Sequence, residues 1–278
     1  MYVDTIICVF GFCSILEIFE QNYTTKMVEN VRNIDERLSK AYNIQRPSYD
    51  EDNVEKLKIL IEKKLNENPE WKRHWVNEDS IIRFLKAFLS VDDTLNALYE
   101  YCNWRVNEDV DGIAALDAKT NPILTKEEAK GRDRILYGHY DRCGRPLLLV
   151  TPRNHDGKHG DYVSLFCYIL CVLEKMSFLA DEKSFDRRYT IIFDLKGFGL
   201  SNIDYKFVKE SLYMLRYYYP ERIGICLIIN YPLLFSGCWK VIKFWMHDVT
   251  KSKFIFAGKK ELTDFVDLKD FPKDLFQL

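Results

Sequence analysis

The chain has 278 residues, of which 47% are hydrophobic and 29% are charged, and this composition is typical of a globular protein. A chain of this length fits one large domain, or a small domain joined to a medium one. The formal net charge of −2 gives no overall attraction to polyanions, so the sequence predicts no nucleic-acid partner.

The first 26 residues are apolar, but they make a poor signal peptide and a poor membrane span. Asp4 interrupts the apolar run, and no lysine or arginine precedes it. We therefore expect residues 1–26 to be a peripheral extension, or an artefact of the gene model, rather than part of the fold. Residues 27–40 have the pattern of a charged surface helix.

Apolar residues recur at helical spacing in the next part of the chain. Three such runs lie between residues 50 and 110, and the third is centred on Leu98 with Asp92 or Asp93 as its predicted N-cap. We assign residues 27–112 to a small all-helical module.

From there onward, strand patterns alternate with helical ones, so we assign residues 113–278 to a second domain. The predicted strands are RILYGHY, RPLLLV, YTIIFD, Ile223–Ile229 and Phe254–Phe256. Between them, Tyr162–Leu173 is an apolar run too short to span a bilayer, which we interpret as a buried helix, and Asp204–Tyr219 is a second helix. This order predicts an α/β fold with a mixed, mostly parallel sheet flanked by helices.

The segment after Ile229 is far more apolar than a surface helix needs to be. On a helix with 100° per residue, Ser236, Lys240, Lys243 and His247 fall within about 60° of one another. A helix lying on a core needs an apolar stripe of only about 100° or slightly more. The other positions are mostly apolar, and those we single out are Leu234, Phe235, Cys238, Trp239, Val241, Ile242, Phe244, Trp245 and Met246.

This aromatic segment, defined as residues 233–246, therefore predicts a second apolar environment, which could be a ligand, a membrane or a partner protein. A helix buried on all sides is the alternative.

The motifs around the segment add a resemblance to a known family. They are Tyr219-Pro220-Glu221-Arg222, Asn230-Tyr231-Pro232, and Asp248-Val249-Thr250 followed by Lys253.

In this order and spacing, the motifs resemble those of the CRAL-TRIO lipid-binding and lipid-transfer family, in particular its phosphatidylinositol transfer proteins. Upstream, IIFDLKGFGLSNID and DRCGRPLLLV resemble a strand-turn and a hairpin of that family. SIIRFLKAFLSVDDTLNALYEYCNWR resembles the helical module that precedes its lipid domain. The resemblance covers about residues 50–275.

The resemblance implies a cytoplasmic cup that holds one phospholipid or similar hydrophobic ligand and exchanges it at a membrane surface, with peripheral membrane association. The aromatic segment would be the gate, with one apolar face on the ligand and another on the bilayer. It also implies that Glu221, Thr250 and Lys253 hold the lipid head group. A cation and a hydroxyl suit a phosphodiester, and a carboxylate suits inositol hydroxyls.

Two alternatives stay open. Phosphatidylinositol-binding members carry a basic pair where this chain has Phe88 and Leu89, so a neutral ligand such as a tocopherol or retinoid is the other candidate. Glu221 and Lys253 could instead be solvated charges. The function could also be that of an adaptor that binds a protein through Trp239, Phe244 and Trp245.

Catalytic and cofactor chemistry is not expected. The stretch GFGLS lacks the third glycine of a dinucleotide fingerprint, and no G-x-S-x-G motif is present. His155, Asp156, His159 and Asp161 form a glycine-rich loop more typical of flexible chain than of a metal site. The eight cysteines, none in C-x-x-C spacing, favour reduced thiols. The sequence therefore predicts no catalytic residue, no metal and no cofactor.

Overall fold

The structure, a computed structural model, describes residues 49–158, 160–184 and 186–268. The predicted extension 1–26 and the predicted helix 27–40 lie outside the described residues. The helices are α1 (Glu51–Glu67), α2 (Glu78–Phe88), α3 (Val91–Asn107), α4 (Val110–Ala114), α5 (Pro122–Ala129), α6 (Tyr162–Lys183), α7 (Tyr205–Tyr217), α8 (Leu233–Ile242), α9 (Asp248–Ser252) and α10 (Lys259–Phe265). The strands are β1 (Asp133–Tyr140), β2 (Pro146–Val150), β3 (Tyr189–Asp194), β4 (Ile223–Ile229) and β5 (Phe254–Phe256).

The first helices begin at side chains that accept a hydrogen bond from the first turn. Asp50 and Asn77 cap α1 and α2 in this way. The cap of α3 is Ser90, whose Oγ accepts from the Asp93 amide at 3.1 Å, so the predicted cap at Asp92 or Asp93 is wrong. Both aspartates lie in the first turn instead, where a negative charge stabilises the helix dipole.

The described strands form one sheet in the order β1-β2-β3-β4-β5. β1 pairs with β2 in antiparallel orientation, and the pairs β2·β3, β3·β4 and β4·β5 are all parallel. The β1–β2 turn is closed by Asp141, which accepts from the amides of Cys143 at 2.8 Å and Arg145 at 2.9 Å, while Gly144 adopts φ 75°. The predicted mixed, mostly parallel sheet with flanking helices is therefore confirmed.

Helix α6 is longer than predicted, because the helix continues from Leu173 to Lys183. Its polar residues do not end it, since Glu174 and Asp181 bind arginines from other elements. By length and composition alone, α6 is the one helix of the described chain that could cross a membrane, and half of its most apolar stretch is buried inside the protein. The prediction that the helix is too short to span a bilayer is therefore wrong, because it counted only Tyr162–Leu173. The burial of α6 is typical of a core helix.

Contacts around Glu174 join the helical region to the sheet region. Arg105 donates from Nη1 and Nη2 to the two carboxylate oxygens of Glu174, both at 3.1 Å. The Tyr219 hydroxyl donates to the same carboxylate at 2.8 Å. Beside them, the rings of Trp104 and Tyr218 stack with centroids 4.0 Å apart. These contacts cross the predicted boundary between residues 112 and 113, which stays a prediction.

Asp111 is a point of acid sensitivity in this region. Its carboxylate accepts from Arg105 Nη2 and Lys72 Nζ, both at 2.6 Å. Burial raises the pKa of Asp111, but those two hydrogen bonds outweigh it and hold the pKa at about 2, below the ordinary 3.8. The carboxylate therefore contributes stability that is complete above pH 3.8 and is lost as the pH falls towards 2.

We expect Asp111→Asn to lower the free energy of unfolding by about 2 kcal/mol at pH 7, the size of such a pKa difference. The loss should shrink between pH 4 and pH 2, because the wild-type contribution disappears there. Urea denaturation across this pH range measures it. A mutational loss that is the same at pH 7 and pH 2 would show that the ionised carboxylate contributes nothing.

Candidate functional site

A cavity of about 230 Å³ lies between the sheet, α7 and α8. Alternate residues of the central strands face it, such as Ile191 and Phe193 on β3 and Cys226 and Ile228 on β4, because strand side chains repeat with a period of two. Helix α7 contributes side chains that include Val208, Leu212 and Leu215, which share one face of the helix. The lining is thus largely aliphatic and aromatic.

The aromatic segment covers this cavity. Five of its predicted residues line the cavity, namely Phe235, Cys238, Trp239, Ile242 and Met246. The predicted continuous helix is wrong in its second half, because α8 ends at Ile242 and a tighter turn follows over Lys243–Trp245. There the Met246 amide donates to the Lys243 carbonyl at 3.3 Å, and the Met246 side chain turns inward, 6% exposed.

The remaining predicted residues of the segment point elsewhere. Leu234, Val241 and Trp245 are partly buried away from the cavity lining, and Trp245 meets Tyr205 edge to face at 5.8 Å. Phe244 is 84% exposed, and Leu233 at the start of α8 is 68% exposed.

Trp239 is not an exposed membrane anchor in this conformation. The centroid of its ring lies 5.1 Å from that of Phe254 and 5.2 Å from that of Phe256, both on β5. The apolar surface that the segment presents to solvent is therefore carried by Phe244 and Leu233 rather than by Trp239.

The three predicted head-group residues lie close together but outside the cavity lining. Glu221 Oε1 accepts from Lys253 Nζ at 3.1 Å, and Glu221 Oε2 accepts from Arg188 Nη2 at 2.6 Å. Thr250 is linked to this pair through the backbone, since its carbonyl accepts from the Lys253 amide at 3.1 Å. Lys253 is only 5% exposed, so the alternative of solvated charges is wrong.

This cluster places two cations around one carboxylate. Burial lowers the pKa of Lys253, Glu221 opposes that shift, and Arg188 adds to it. Glu221 also has a left-handed backbone with φ 55°, an uncommon conformation for a non-glycine residue. Arg188 was not predicted, and its position just before β3 carries no motif that could have indicated it.

A second group of polar side chains lies in the cavity itself, around Phe207 of α7. His155 stacks on the Phe207 ring at 4.8 Å, and the Arg132 guanidinium lies 4.9 Å above it. His155 Nε2 is 3.1 Å from Asp204 Oδ2, which also accepts from the Tyr162 hydroxyl at 2.7 Å. The loop residue His155, considered above for a metal, is thus bound to a carboxylate.

The environment determines the charge of these groups. Burial lowers the pKa of His155, and although Asp204 acts in the opposite direction the pKa stays below its ordinary value, so the ring is neutral at pH 7. Burial raises the pKa of Asp204, but hydrogen bonds led by the Phe207 amide outweigh it and leave the carboxylate ionised. Arg132 is balanced by Asp133, whose Oδ2 accepts from Nε at 2.7 Å.

Comparisons with known proteins agree with this architecture. The CRAL/TRIO domain model matches residues 134–275. The phosphatidylinositol transfer protein CSR1 of Eremothecium gossypii is 30% identical over 206 residues, which are 71% of this chain and 46% of that protein. The CRAL-TRIO domain-containing protein C3H8.02 of Schizosaccharomyces pombe is 29% identical, over 69% of this chain and 44% of that one. The chain thus spans less than half the length of these two relatives.

A third relative is matched over more of its length. The CRAL-TRIO domain-containing protein YKL091C of Saccharomyces cerevisiae is 27% identical, over 77% of this chain and 73% of that one. A solved crystal structure, that of Sfh5, has a TM-score of 0.60 at 14% identity and covers 79% of this chain and 85% of that one, which shows a shared fold. The domain match spans about half of the sequence, and this chain belongs to the CRAL/TRIO domain family.

Proposed function

We propose that this protein binds one phospholipid or similar hydrophobic molecule in the cavity and exchanges it with membranes, with the aromatic segment as the gate. The observation that carries the proposal is the largely apolar cavity that five side chains of this segment close. A relative named as a phosphatidylinositol transfer protein supports it. The role is binding and transport rather than catalysis, in the cytoplasm and at membrane surfaces.

The size of the cavity supports a moving gate. Its volume of about 230 Å³ lies below the roughly 300–1,000 Å³ that is usual for pockets of drug-sized ligands. A two-chain lipid is larger than such ligands, so its entry requires the aromatic segment to move outward. Pro232 precedes α8 and Gly237 lies in its second turn, and a hinge at either residue could absorb the change of backbone angles.

The energetics favour exchange at a membrane over release into water. Burial of acyl chains gains about 0.8 kcal/mol per CH₂ relative to water, and a bilayer offers the same gain. A bound lipid therefore leaves readily only where the gate touches a membrane. Phe244 and Leu233 can insert there, and the exposed Lys240 and Lys243 can add up to about 1 kcal/mol each near anionic lipid.

Glu221, Thr250 and Lys253 remain the proposed head-group set for an inositol lipid. Both carboxylate oxygens of Glu221 are already occupied by Arg188 and Lys253. A head group that binds there must therefore replace part of this ion-pair cluster.

Mass spectrometry of an organic extract of the purified protein tests the proposal, together with transfer of fluorescent lipid between vesicles. We expect about one lipid per chain and measurable transfer. Protein that carries no lipid and transfers none would contradict the proposal, and the adaptor function would then be the better explanation.

A larger side chain at Cys238 should block the cavity. Cys238 lines the cavity on the inner face of α8 and is 4% exposed. We expect Cys238→Phe to lower lipid content and transfer at least about tenfold, while overpacking lowers the free energy of unfolding by about 1–3 kcal/mol. Cys167→Phe on α6, outside the cavity lining, is the matched control. Equal lipid content in both variants would contradict the assignment of this cavity as the binding site.

A further inference from the structure

Two polar atoms of the cavity-lining residues have no hydrogen-bond partner among the described residues. They are Nη1 of Arg132 and Oγ of Ser211, and both atoms are buried. Arg132 is only 5% exposed. Ser211 lies four residues after Phe207 on α7, hence on the same helix face as the ring on which Arg132 rests. The two residues thus lie in one region of the cavity lining.

The neighbouring polar side chains are already satisfied. His155 and the Tyr162 hydroxyl each bind Asp204 Oδ2, and Asn202 Nδ2 donates to the carbonyls of Arg153 and His155. A guanidinium N–H can only donate, and a hydroxyl can donate as well as accept. What this region lacks is therefore an acceptor, since buried donors are nearly always paired in proteins.

The charges of the lining decide what kind of acceptor fits. The Arg132 cation is offset by Asp133, and His155 is neutral, so Asp204 leaves this region with one net negative charge. An anionic group would meet that charge in a medium of low dielectric constant, where like charges repel strongly. An uncharged carbonyl, ester, ether or hydroxyl oxygen would accept from Arg132 or Ser211 without that repulsion.

We propose that Arg132 and Ser211 form the polar anchor for the cavity ligand, and that they select a hydrophobic molecule with an uncharged acceptor oxygen. This inference rests on the proposed function and names the ligand chemistry of the same cavity. The uncharged residues Phe88 and Leu89 agree with it, because they offer no cation for an anionic head group.

Three probes with the same fluorescent 18-carbon tetraene test the anchor: parinaric acid, its methyl ester and the hydrocarbon without the carboxyl group. Their dissociation constants are measured by fluorescence titration at pH 8, where the acid is ionised. In wild-type protein we expect the ester to bind about tenfold more tightly than the hydrocarbon and than the acid. Tenfold is the scale of one hydrogen bond to a charged donor.

Two variants remove the donors. Ser211→Ala removes the hydroxyl, and Arg132→Met combined with Asp133→Asn removes the ion pair as a unit without changing the net charge. Each variant should weaken binding of the ester several-fold, towards the affinity of the hydrocarbon. The affinity of the hydrocarbon itself should stay unchanged. Arg134→Met, at an exposed position beside them on β1, is the matched control and should change none of the three affinities.

The outcomes separate the anchor from the function as a whole. Equal binding of ester and hydrocarbon by the wild-type protein, or tightest binding of the acid, would overturn the anchor while leaving a hydrophobic cavity in place. No binding of any probe would contradict the proposed function itself. If the double variant does not fold, the wild-type ranking and Ser211→Ala still decide the question.

Discussion

Replacement of Glu221 by glutamine is expected to lower the free energy of unfolding by about 3–5 kcal/mol, the usual cost of removing one partner from a buried ion pair. The carboxylate is the shared acceptor of Arg188 and Lys253, at 2.6 and 3.1 Å. A neutral amide leaves two buried cations near each other without a compensating charge. Chemical denaturation at pH 7 measures the loss.

Lys253→Met is the matched comparison and should cost considerably less. It removes one of the two cations and leaves Glu221 paired with Arg188. Because burial lowers the pKa of Lys253 below 10.5, the unfolded chain binds more protons between the two pKa values. The free energy of unfolding should therefore rise as the pH increases towards 10.5, and this rise should be smaller in Lys253→Met. Equal losses in the two variants would show that size, not charge, matters at this cluster.

The combined change Leu233→Ser and Phe244→Ser should weaken binding to lipid vesicles by about a hundredfold or more. Burial of each side chain in a bilayer is worth up to about 1.5–3 kcal/mol, and each 1.4 kcal/mol is a factor of ten. Both side chains are exposed in the structure, Leu233 at 68% and Phe244 at 84%, so the fold should keep its stability. Vesicle cosedimentation and lipid transfer measure the effect.

The matched control for this pair is Val163→Ser with Phe178→Ser on α6. These side chains are comparably exposed, at 76% and 61%, but lie outside the aromatic segment. The control should bind vesicles like the wild type. Similar losses of vesicle binding in both double variants would show that binding depends on general surface hydrophobicity rather than on the aromatic segment.

The order of elements could be predicted from the sequence because it depends on local periodicity. The apolar run Ile223–Ile229 and the short strand Phe254–Phe256 appear at the predicted positions, and both pair in parallel within the sheet. The extent of α6 could not be predicted in this way. Its C-terminal half is held by Arg105 and Arg222, which are distant in sequence from their partners Glu174 and Asp181.

The candidate site, too, could be predicted from the sequence only in part. The aromatic segment was recognisable from its composition, and five of its residues do line a cavity. The polar end of the cavity was not recognisable, since Arg132, His155 and Ser211 come from three separate parts of the chain. Arg132 and His155 both contact the Phe207 ring. The occupation of Glu221 by Arg188 depends in the same way on the meeting of β3 and β4, which no motif encodes.

The tryptophans of this protein can serve as intrinsic fluorescence probes of two of its regions. Three of the five lie on the helical side, where Trp71 and Trp75 belong to the buried core and Trp104 is stacked on Tyr218. The other two, Trp239 and Trp245, belong to the aromatic segment. Indole emission therefore reports both on the helical core and on the aromatic segment. A ligand in the cavity would alter the environment of Trp239, which lines it, whereas loosening of the helical core would alter that of Trp71, Trp75 and Trp104. Replacement of either set by phenylalanine would therefore let the two processes be followed separately without an added label.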